Sequence, residues 1–342
     1  MKKHLLKGKS HYRFKRFACR AYAMFNSMHK VVSIGVVSGC MLTFAHAKAS
    51  AGQEQFPLVL DSISEQELDE VVISSTRAGV TLEQAGQLVT IISAQEIERQ
   101  PAQSVQDLLK SVAGLDVRQR GSNGVLAGIS VRGGTFEQTA ILLNGANISN
   151  PQTAHYSLDL PVNLSDSERI EIIEGPSSIL FGASAFSGGI NIITKKDAIN
   201  NAFIRLNGGM HKTGGAEGRA ALNVGQTTHS LSLGYNRSSG YAENTDYRLF
   251  SSLWQSRWTA GGNSLDLQFG INDKKYGATT FYSPEYPNQY DNTRRYFASL
   301  KGESRGKLQF IPQLYWSRHF DTFHLFRPGT DNIPEWYSDP NY

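Results

Sequence analysis

Residue types that carry covalent or metal chemistry are sparsely placed in this sequence. Gly8-Lys9-Ser10 has the ending of a phosphate-cradling loop, but such a loop needs a glycine five positions earlier and a strand leading into it, and Lys3 stands there. The sequence has neither a His-Glu-x-x-His pair to hold zinc on one helix face nor a Gly-x-Ser-x-Gly turn to raise a serine nucleophile. The glycines between Arg120 and Gly134 lack the strand-glycines-helix order of a dinucleotide site. Cys19 and Cys40 both precede the expected cleavage point, so the mature chain has neither a disulfide nor a thiolate metal site. No catalytic residue, metal ligand set or cofactor is expected, and the chain reads as a non-enzyme.

What remains is the chemistry of the backbone. Residues 49–68 are polar and acidic, with no period long enough to fold alone, and read as a flexible arm. Within it, Leu68-Asp69-Glu70-Val71-Val72-Ile73-Ser74-Ser75 is a short β-prone run after an acidic pair. A strand on a flexible leader offers its N–H and C=O groups to the sheet edge of a partner. The same residues also suit an ordinary edge strand of the next domain.

The elements around this run set its compartment. Of 342 residues 19% are charged, below the soluble average of about 25%. The formal charge of +4 comes from lysines and arginines crowded into the first 30 positions, so no nucleic-acid partner is inferred. An apolar run over 31–44 and Ala45-His46-Ala47 complete the pattern of a secretory signal peptide, residues 1–47. The run is shorter than the roughly 20 residues a membrane-spanning helix needs. Translation from Met24 or Met28 would shorten the unusually long basic region. With no long apolar helix downstream, membrane insertion requires a closed β-barrel, because in lipid only helices and closed barrels satisfy the backbone.

Residues 76–198 read as a small α+β domain. Strands are expected at 88–92, from 115, at 129–133, 139–143, 169–174 and 188–194, with a capped helix starting at Ser93 and a second helix over 104–111 ended by Gly114. Asn144-Gly145 is a strong hairpin turn signal. From 199 to 342 the texture changes to strands of about ten residues with clean alternation. Leu265, Leu267, Phe269 and Ile271 oppose Ser264, Asp266, Gln268, Gly270 and Asn272. Leu231, Leu233 and Tyr235 oppose Ser230, Ser232, Gly234 and Asn236, and Leu308, Phe310, Leu314 and Trp316 oppose Gln309 and Gln313. Short links at 225–228 and 261–262 alternate with a long one over 276–290, as in a transmembrane barrel with tight periplasmic turns and long outer loops. A soluble sandwich with one wet face uses the same alternation.

Taken in order, these segments resemble the TonB-dependent outer-membrane receptor family. The likeness rests on the TonB-box-like stretch Asp69-Glu70-Val71-Val72-Ile73-Ser74-Ser75, on Gln106-Asp107-Leu108-Leu109, on Val112-Ala113-Gly114-Leu115-Asp116-Val117, and on Ile129-Ser130-Val131-Arg132-Gly133. It continues in Leu142-Leu143-Asn144-Gly145, in Glu168-Arg169-Ile170-Glu171-Ile172-Ile173-Glu174-Gly175-Pro176, and in the run from Phe181 to Lys195. The resemblance implies an α+β plug followed by antiparallel strands of a 22-stranded barrel, of which about seven are present, so the chain is expected to be partial and its sheet open.

The resemblance further implies TonB-driven import of a scarce nutrient across the outer membrane, with TonB gripping residues 69–75 and ExbB/ExbD supplying energy. The stretches 143–161 and 183–194 look most like cobalamin receptors; a ferric siderophore or haem is the alternative, and a surface-binding or sensing receptor without transport is the alternative from another class. By family position, the plug apex that meets substrate comprises Ser122, Asn123, Gly124, Val125 and Leu126, then Asn147, Asn150, Gln152, His155 and Tyr156. Arg132, Glu171 and Glu174 are expected in ion pairs between plug and barrel wall. A surface lipoprotein is a possible partner. Calcium is not expected, since the region 273–291 offers only Asp273, Glu285 and Asp291 where six to eight oxygens are normally needed.

Overall fold

The computed structural model describes residues 72–73, 80–81 and 88–337, apart from 124, 197–198, 305–307, 331–332 and 334–336. The expected signal peptide, the acidic arm, Asp69, Glu70, Val71, Ser74, Ser75 and Gly124 lie outside the described residues. Of the β-prone run, Val72–Ile73 (β1) pairs antiparallel with Val80–Thr81 (β2), Val72 facing Thr81.

Two layers follow. The first holds a mixed five-stranded sheet of Leu88–Ser93 (β3), Ser167–Glu174 (β8), Gly188–Thr194 (β9), Thr139–Leu143 (β6) and Ala146–Asn147 (β7), in the spatial order β3-β8-β9-β6-β7. Only β6 and β9 run parallel. Every residue of β6 and β9 is buried, as expected of central strands covered on both faces. One face packs Ile141, Leu143, Ile170, Ile172, Ile190 and Ile192 on Ile97, Val105, Leu108 and Leu109, and the other packs Leu142 and Ile173 on Phe181. Leu115–Arg120 (β4) and Leu126–Val131 (β5) form a separate hairpin.

The local signals act as expected at most boundaries. Ser93 caps the helix Ala94–Arg99 in a complete capping box with Glu96. Asn144 and Gly145 both have positive φ, 51° and 84°, the requirement of a type I′ turn joining β6 to β7. The second helix is shorter than the 104–111 expected: Ser104 caps it, but it spans only Val105–Leu109 and is over before Gly114 is reached. The strand expected at 129–133 stops at Val131, because Arg132 and Gly133 turn out of it with φ of 50° and 74°.

The second layer is a seven-stranded antiparallel sheet in strict sequence order: Asn201–Gly209 (β10), Thr213–Val224 (β11), Thr227–Ser238 (β12), Tyr247–Ala260 (β13), Asn263–Gly277 (β14), Tyr290–Glu303 (β15) and Gln313–His324 (β16). Its two faces are chemically opposite. On β12, Leu231, Leu233 and Tyr235 are 43 to 46% exposed while Ser230 and Ser232 are at most 5% exposed. On β14, Leu265, Leu267 and Phe269 are exposed while Gln268, Asn272 and Lys274 are buried under the plug. Apolar outward and polar inward is the pattern of a membrane barrel wall and the reverse of a soluble sandwich. Between Trp258 and Tyr235 the outward rows advance two residues at a time, giving an apolar band about 26 Å long along the strands. The last strand starts later than the 308–316 alternation suggests. Pro312 has no N–H to donate, Phe310 makes only an isolated bridge to Ser304, and regular pairing begins at Gln313.

Candidate functional site: the seam between plug and wall

Residues 148–166 lead from β7 to β8 and thread between the plug sheet and the inward face of the wall. Two short 3-10 turns, Ala154–Tyr156 and Leu164–Asp166, fold the segment; the Thr153 hydroxyl caps the first, and in the second the Asp166 carboxylate accepts from Asn163 N–H at 2.8 Å. This places Asp159, only 3% exposed, against two wall strands at once. Its carboxylate meets Lys274 Nζ of β14 at 2.9 Å and His319 Nε2 of β16 at 3.1 Å. Both partners are nearly as buried as the acid.

The arrangement fixes His319 on three sides. With Nε2 donating to Asp159, Nδ1 accepts from Asn150 Nδ2 at 3.3 Å, and the ring stacks on Tyr156 with centroids 5.1 Å apart. Burial alone would raise the Asp159 carboxyl. Lys274, the hydrogen bond from His319, and Arg295 more than offset it, so the group is held well below the usual carboxylate range. Arg295 completes this level, donating to the carbonyls of Tyr156 (2.9 Å) and Ile148.

Further along the seam, Arg219 of β11 meets Asp166 at 3.2 Å with both side chains at most 1% exposed, and donates to the Lys195 carbonyl. Asn163 donates to Ser232 at 2.8 Å and accepts from Ser251 at 2.5 Å. Asn272 donates to the Leu160 carbonyl at 2.9 Å. Two glycines of the wall allow this closeness. A Cβ on Gly234 would lie 2.1 Å from Asn163 Oδ1, and one on Gly270 would lie 2.7 Å from the Pro161 ring. Apolar wall side chains entering the plug's main core are few, Leu253 and Phe297. A seam made of charge-assisted and polar contacts is specific in register and can exchange its bonds with water when separated.

The expected site residues fall into three groups. Ser122, Gln152 and His155 are exposed, and Asn123 is half-buried at a positive-φ turn position. Asn150 and Asn147 are engaged: Asn150 holds its own turn through Gln152 N and Thr153 N and contacts His319, while Asn147 donates to the Phe181 carbonyl and Ser184 inside the plug. Val125, Leu126 and Tyr156 are packed away, in a cluster with Tyr247, Tyr276 and Ala278 of the wall side. They are seam packing instead of apex surface. The Tyr156 phenol approaches Tyr282 and Asp291 at 3.4 and 3.5 Å, and burial, then Asp291, raises it so that it stays protonated.

The expected plug-to-wall ion pairs need correction. Arg132 pairs with Glu174 at 2.5 Å, and Glu171 pairs with Arg169 at 3.0 Å and accepts from Asn191, all inside the plug. The reason is register: Glu171 lies opposite both Ile91 and Asn191 in the middle of the sheet, and Glu174 lies at its end beside the turn of Arg132. The pairs that cross the seam are instead Asp159 with Lys274 and His319, and Asp166 with Arg219. A signal for Lys274 was present, since it continues the inward phase Gln268, Gly270, Asn272 of the same strand. Away from the apex, at the end of the short turns, Asn144, Thr194, Lys196, Gln226, Arg257 and Lys301 line a cavity of about 410 Å³.

Comparison with known proteins agrees with this architecture. Residues 81–189 match the family model described as TonB-dependent Receptor Plug Domain. Over 280 residues the chain is 29% identical to the vitamin B12 transporter BtuB of Vibrio vulnificus, covering 73% of this chain and 43% of that protein. Among solved structures, the ferric yersiniabactin uptake receptor FyuA of Yersinia pestis superposes with a TM-score of 0.58 at 17% identity, covering 69% of this chain and 41% of that one. The pyoverdine outer membrane receptor FpvA of Pseudomonas aeruginosa gives 0.58 at 14% identity, covering 73% and 39%. The chain thus spans about two fifths of the length of these relatives. The pyoverdine receptor is an outer membrane receptor by its description, and the apolar outward face seen here is that of strands facing lipid. A plug of matching sequence over residues 81–189, seated by buried ion pairs on the inward face of barrel-like strands, makes the chain similar to the TonB-dependent receptors, the vitamin B12 receptors among them.

Proposed function

We propose that the protein imports a scarce nutrient across the outer membrane, with cobalamin as the substrate and TonB as the motor. The observation that carries the reading is the seam. A plug held to a membrane wall by the polar contacts of Asp159, Asp166 and Asn163, beside one apolar cluster of Val125, Leu126 and Tyr156 with Tyr247 and Tyr276, is built to be seated in one register and parted by a directed pull. The relative named as a vitamin B12 transporter supports cobalamin, while the solved neighbours named for siderophores share the fold alone. Residues 69–75 are the TonB grip in this reading: backbone pairing with a partner strand aligns several hydrogen bonds along the pull. ExbB/ExbD would energise TonB from the inner membrane. The exposed apex residues Ser122, Gln152 and His155, with Asn123 and Asn150, are the ligand-facing set. The cycle breaks no substrate bond.

The test is a binding comparison on cells carrying the full-length receptor gene, using radiolabelled cyanocobalamin, a ferric siderophore panel and haem. Saturable cyanocobalamin binding, reduced by Gln152→Ala with His155→Ala, is the expected result. Binding of a ferric siderophore without cobalamin binding would move the assignment to iron uptake.

A further inference from the structure

The cavity at the end of the short turns belongs neither to the seam latch nor to the apex. It lies on the inward face of the wall, since Asp266 in its lining is in phase with the buried Gln268, Asn272 and Lys274 of β14. Register places Asp266 directly opposite Arg257 of β13 on one side and Lys301 of β15 on the other. Lys196, from the connection between β9 and β10, lines the same space. Three cations therefore gather around one carboxylate.

That carboxylate is already engaged. Arg257 donates to both oxygens of Asp266, the Nη2 bond measuring 2.7 Å. Elsewhere in the lining Arg169 pairs with Glu168 and Glu171 at 3.2 and 3.0 Å, and Lys195 pairs with Glu98 at 3.6 Å. Glu303, the remaining acid of the lining, accepts from Gln309 at 3.3 Å. Among the described residues, no ion pair joins Lys196 or Lys301 to a carboxylate. The Lys196 ammonium is held below the usual lysine value, by burial first and then by the charge of Arg257, with Lys301 acting in the same direction and Glu168 and Asp266 against it. Two ammonium groups without ion pairs, pressing on each other beside a cavity of about 410 Å³, make the electrostatic setting of an anion site.

The rest of the lining and its place in the fold narrow the anion. Gln226, Gln255 and Gln268 contribute carboxamides, and Gln255 donates to the Thr194 hydroxyl at 2.7 Å. Carboxamides with two ammonium groups suit a solute that carries amides of its own and one phosphate ester. The cavity has the size of a small-molecule site, usually about 300–1,000 Å³. The short turns 225–226 and 261–262 lie at this end of the sheet, and short turns mark the periplasmic side of such barrels. A solute carried inwards along the wall passes this cavity last, so the transport route itself delivers the anion.

We propose that Lys196 and Lys301 form an exit-side site for the phosphodiester in the nucleotide arm of cobalamin, with Gln226 and Gln255 serving its amide groups. The proposal rests on cobalamin being the imported nutrient. Both ammonium groups stay with the wall when residues 69–75 are pulled: Lys301 belongs to β15, and Lys196 stands in the link that continues into β10 at Asn201. The site therefore outlasts the parting of the seam and holds the arm while the nutrient leaves the apex. A charge-assisted hydrogen bond is worth roughly ten- to a hundredfold in an equilibrium, so a nutrient without the phosphate returns to the apex more often and crosses more slowly.

The test measures uptake of radiolabelled cyanocobalamin and of cobinamide, which lacks the nucleotide arm and its phosphate, by cells carrying the full-length gene. Each rate is divided by the ligand held at the surface of de-energised cells, giving a turnover per captured molecule. In the unaltered receptor cobalamin should turn over about tenfold faster than cobinamide. Lys196→Gln/Lys301→Gln should bring cobalamin down to the cobinamide rate with surface binding intact and cobinamide turnover within twofold, while Lys196→Arg/Lys301→Arg keeps the difference. Equal turnover of the two corrinoids by the unaltered receptor would overturn the proposal even where the Gln variant fails to fold. So would a cobalamin advantage that survives in a Gln variant with parental surface binding. Equal losses for both corrinoids would also overturn it, because the lysines would then serve the fold or a free phosphate. An unaltered receptor that captures neither corrinoid fails the cobalamin reading itself, and this site falls with it; capture and import of both at one rate fails the site alone.

Discussion

Asp159→Asn is the most informative single change in the seam. The substitution keeps the shape of the side chain and removes its charge, so Lys274, with a 6% exposed side chain, loses the carboxylate at 2.9 Å and keeps its hydrogen bond to the Val125 carbonyl at 3.3 Å. Removing one partner of a buried pair costs about 3–5 kcal/mol, because the remaining charge loses its opposite charge inside the protein. At about 1.4 kcal/mol per tenfold, the opening equilibrium of the segment around Asp159 rises by roughly 10² to 4 × 10³. Hydrogen exchange reads this directly at residues 156–160, where Asp159 N–H is bonded to the Tyr156 carbonyl at 3.1 Å and Leu160 N–H to the Leu158 carbonyl at 3.0 Å. Adding Lys274→Met should restore exchange to within about tenfold of the parent, since replacing both members of a buried pair is often nearly neutral. The sign with pH is also fixed. The Asp159 carboxyl is depressed in the folded chain, so its contribution is full above the unfolded value near 4 and is lost only as the pH falls further, through the folded value. Exchange in the single variant within about threefold of the parent, a difference below ~0.7 kcal/mol, would refute the claim that this bridge latches the plug.

Three further outcomes follow from the same geometry. Gly234→Ala puts a methyl group 2.1 Å from Asn163 Oδ1, so the seam must open locally, and exchange over residues 161–166 should accelerate at least tenfold while the barrel strands stay protected. Arg132→Gly removes a half-exposed ion pair but relieves a positive φ of 50°, so thermal stability should change by less than ~1 kcal/mol and uptake should be unaffected; a large loss would restore Arg132 to the latch. Val72→Pro deletes a backbone donor in β1, and uptake should be lost with surface binding intact; uptake at the parental level would remove this strand from the coupling.

Much of this architecture is legible in the residues because it rests on local rules. The period of two in 229–236 and 264–272 is enough to assign which side chains face out, since one wrong step would bury Leu231 and Phe269 and expose Gln268. Ser93 with Glu96, and Asn144 with Gly145, act within three residues of themselves and are readable for the same reason. The latch is different. Asp159 stands in a stretch with no period, and its partners are more than one hundred residues later in the chain, so only the docking of plug on wall brings them together. Arg132, Glu171 and Glu174 looked equally suited to ion pairing. Their partners were decided by strand register within the plug, where Glu171 falls opposite Asn191. Val125 and Tyr156 show the same limit from the apolar side, because apex loops and seam packing share a composition and differ only in what lies over them.

The most direct test of the central claim is radiolabelled cyanocobalamin uptake by cells carrying the full-length receptor gene, with and without deletion of residues 69–75. TonB-driven import of cobalamin predicts that the deletion abolishes accumulation while surface binding persists at the intact level. Accumulation that survives the deletion would contradict coupling through this segment, and an intact receptor that neither binds nor accumulates cobalamin would contradict the substrate.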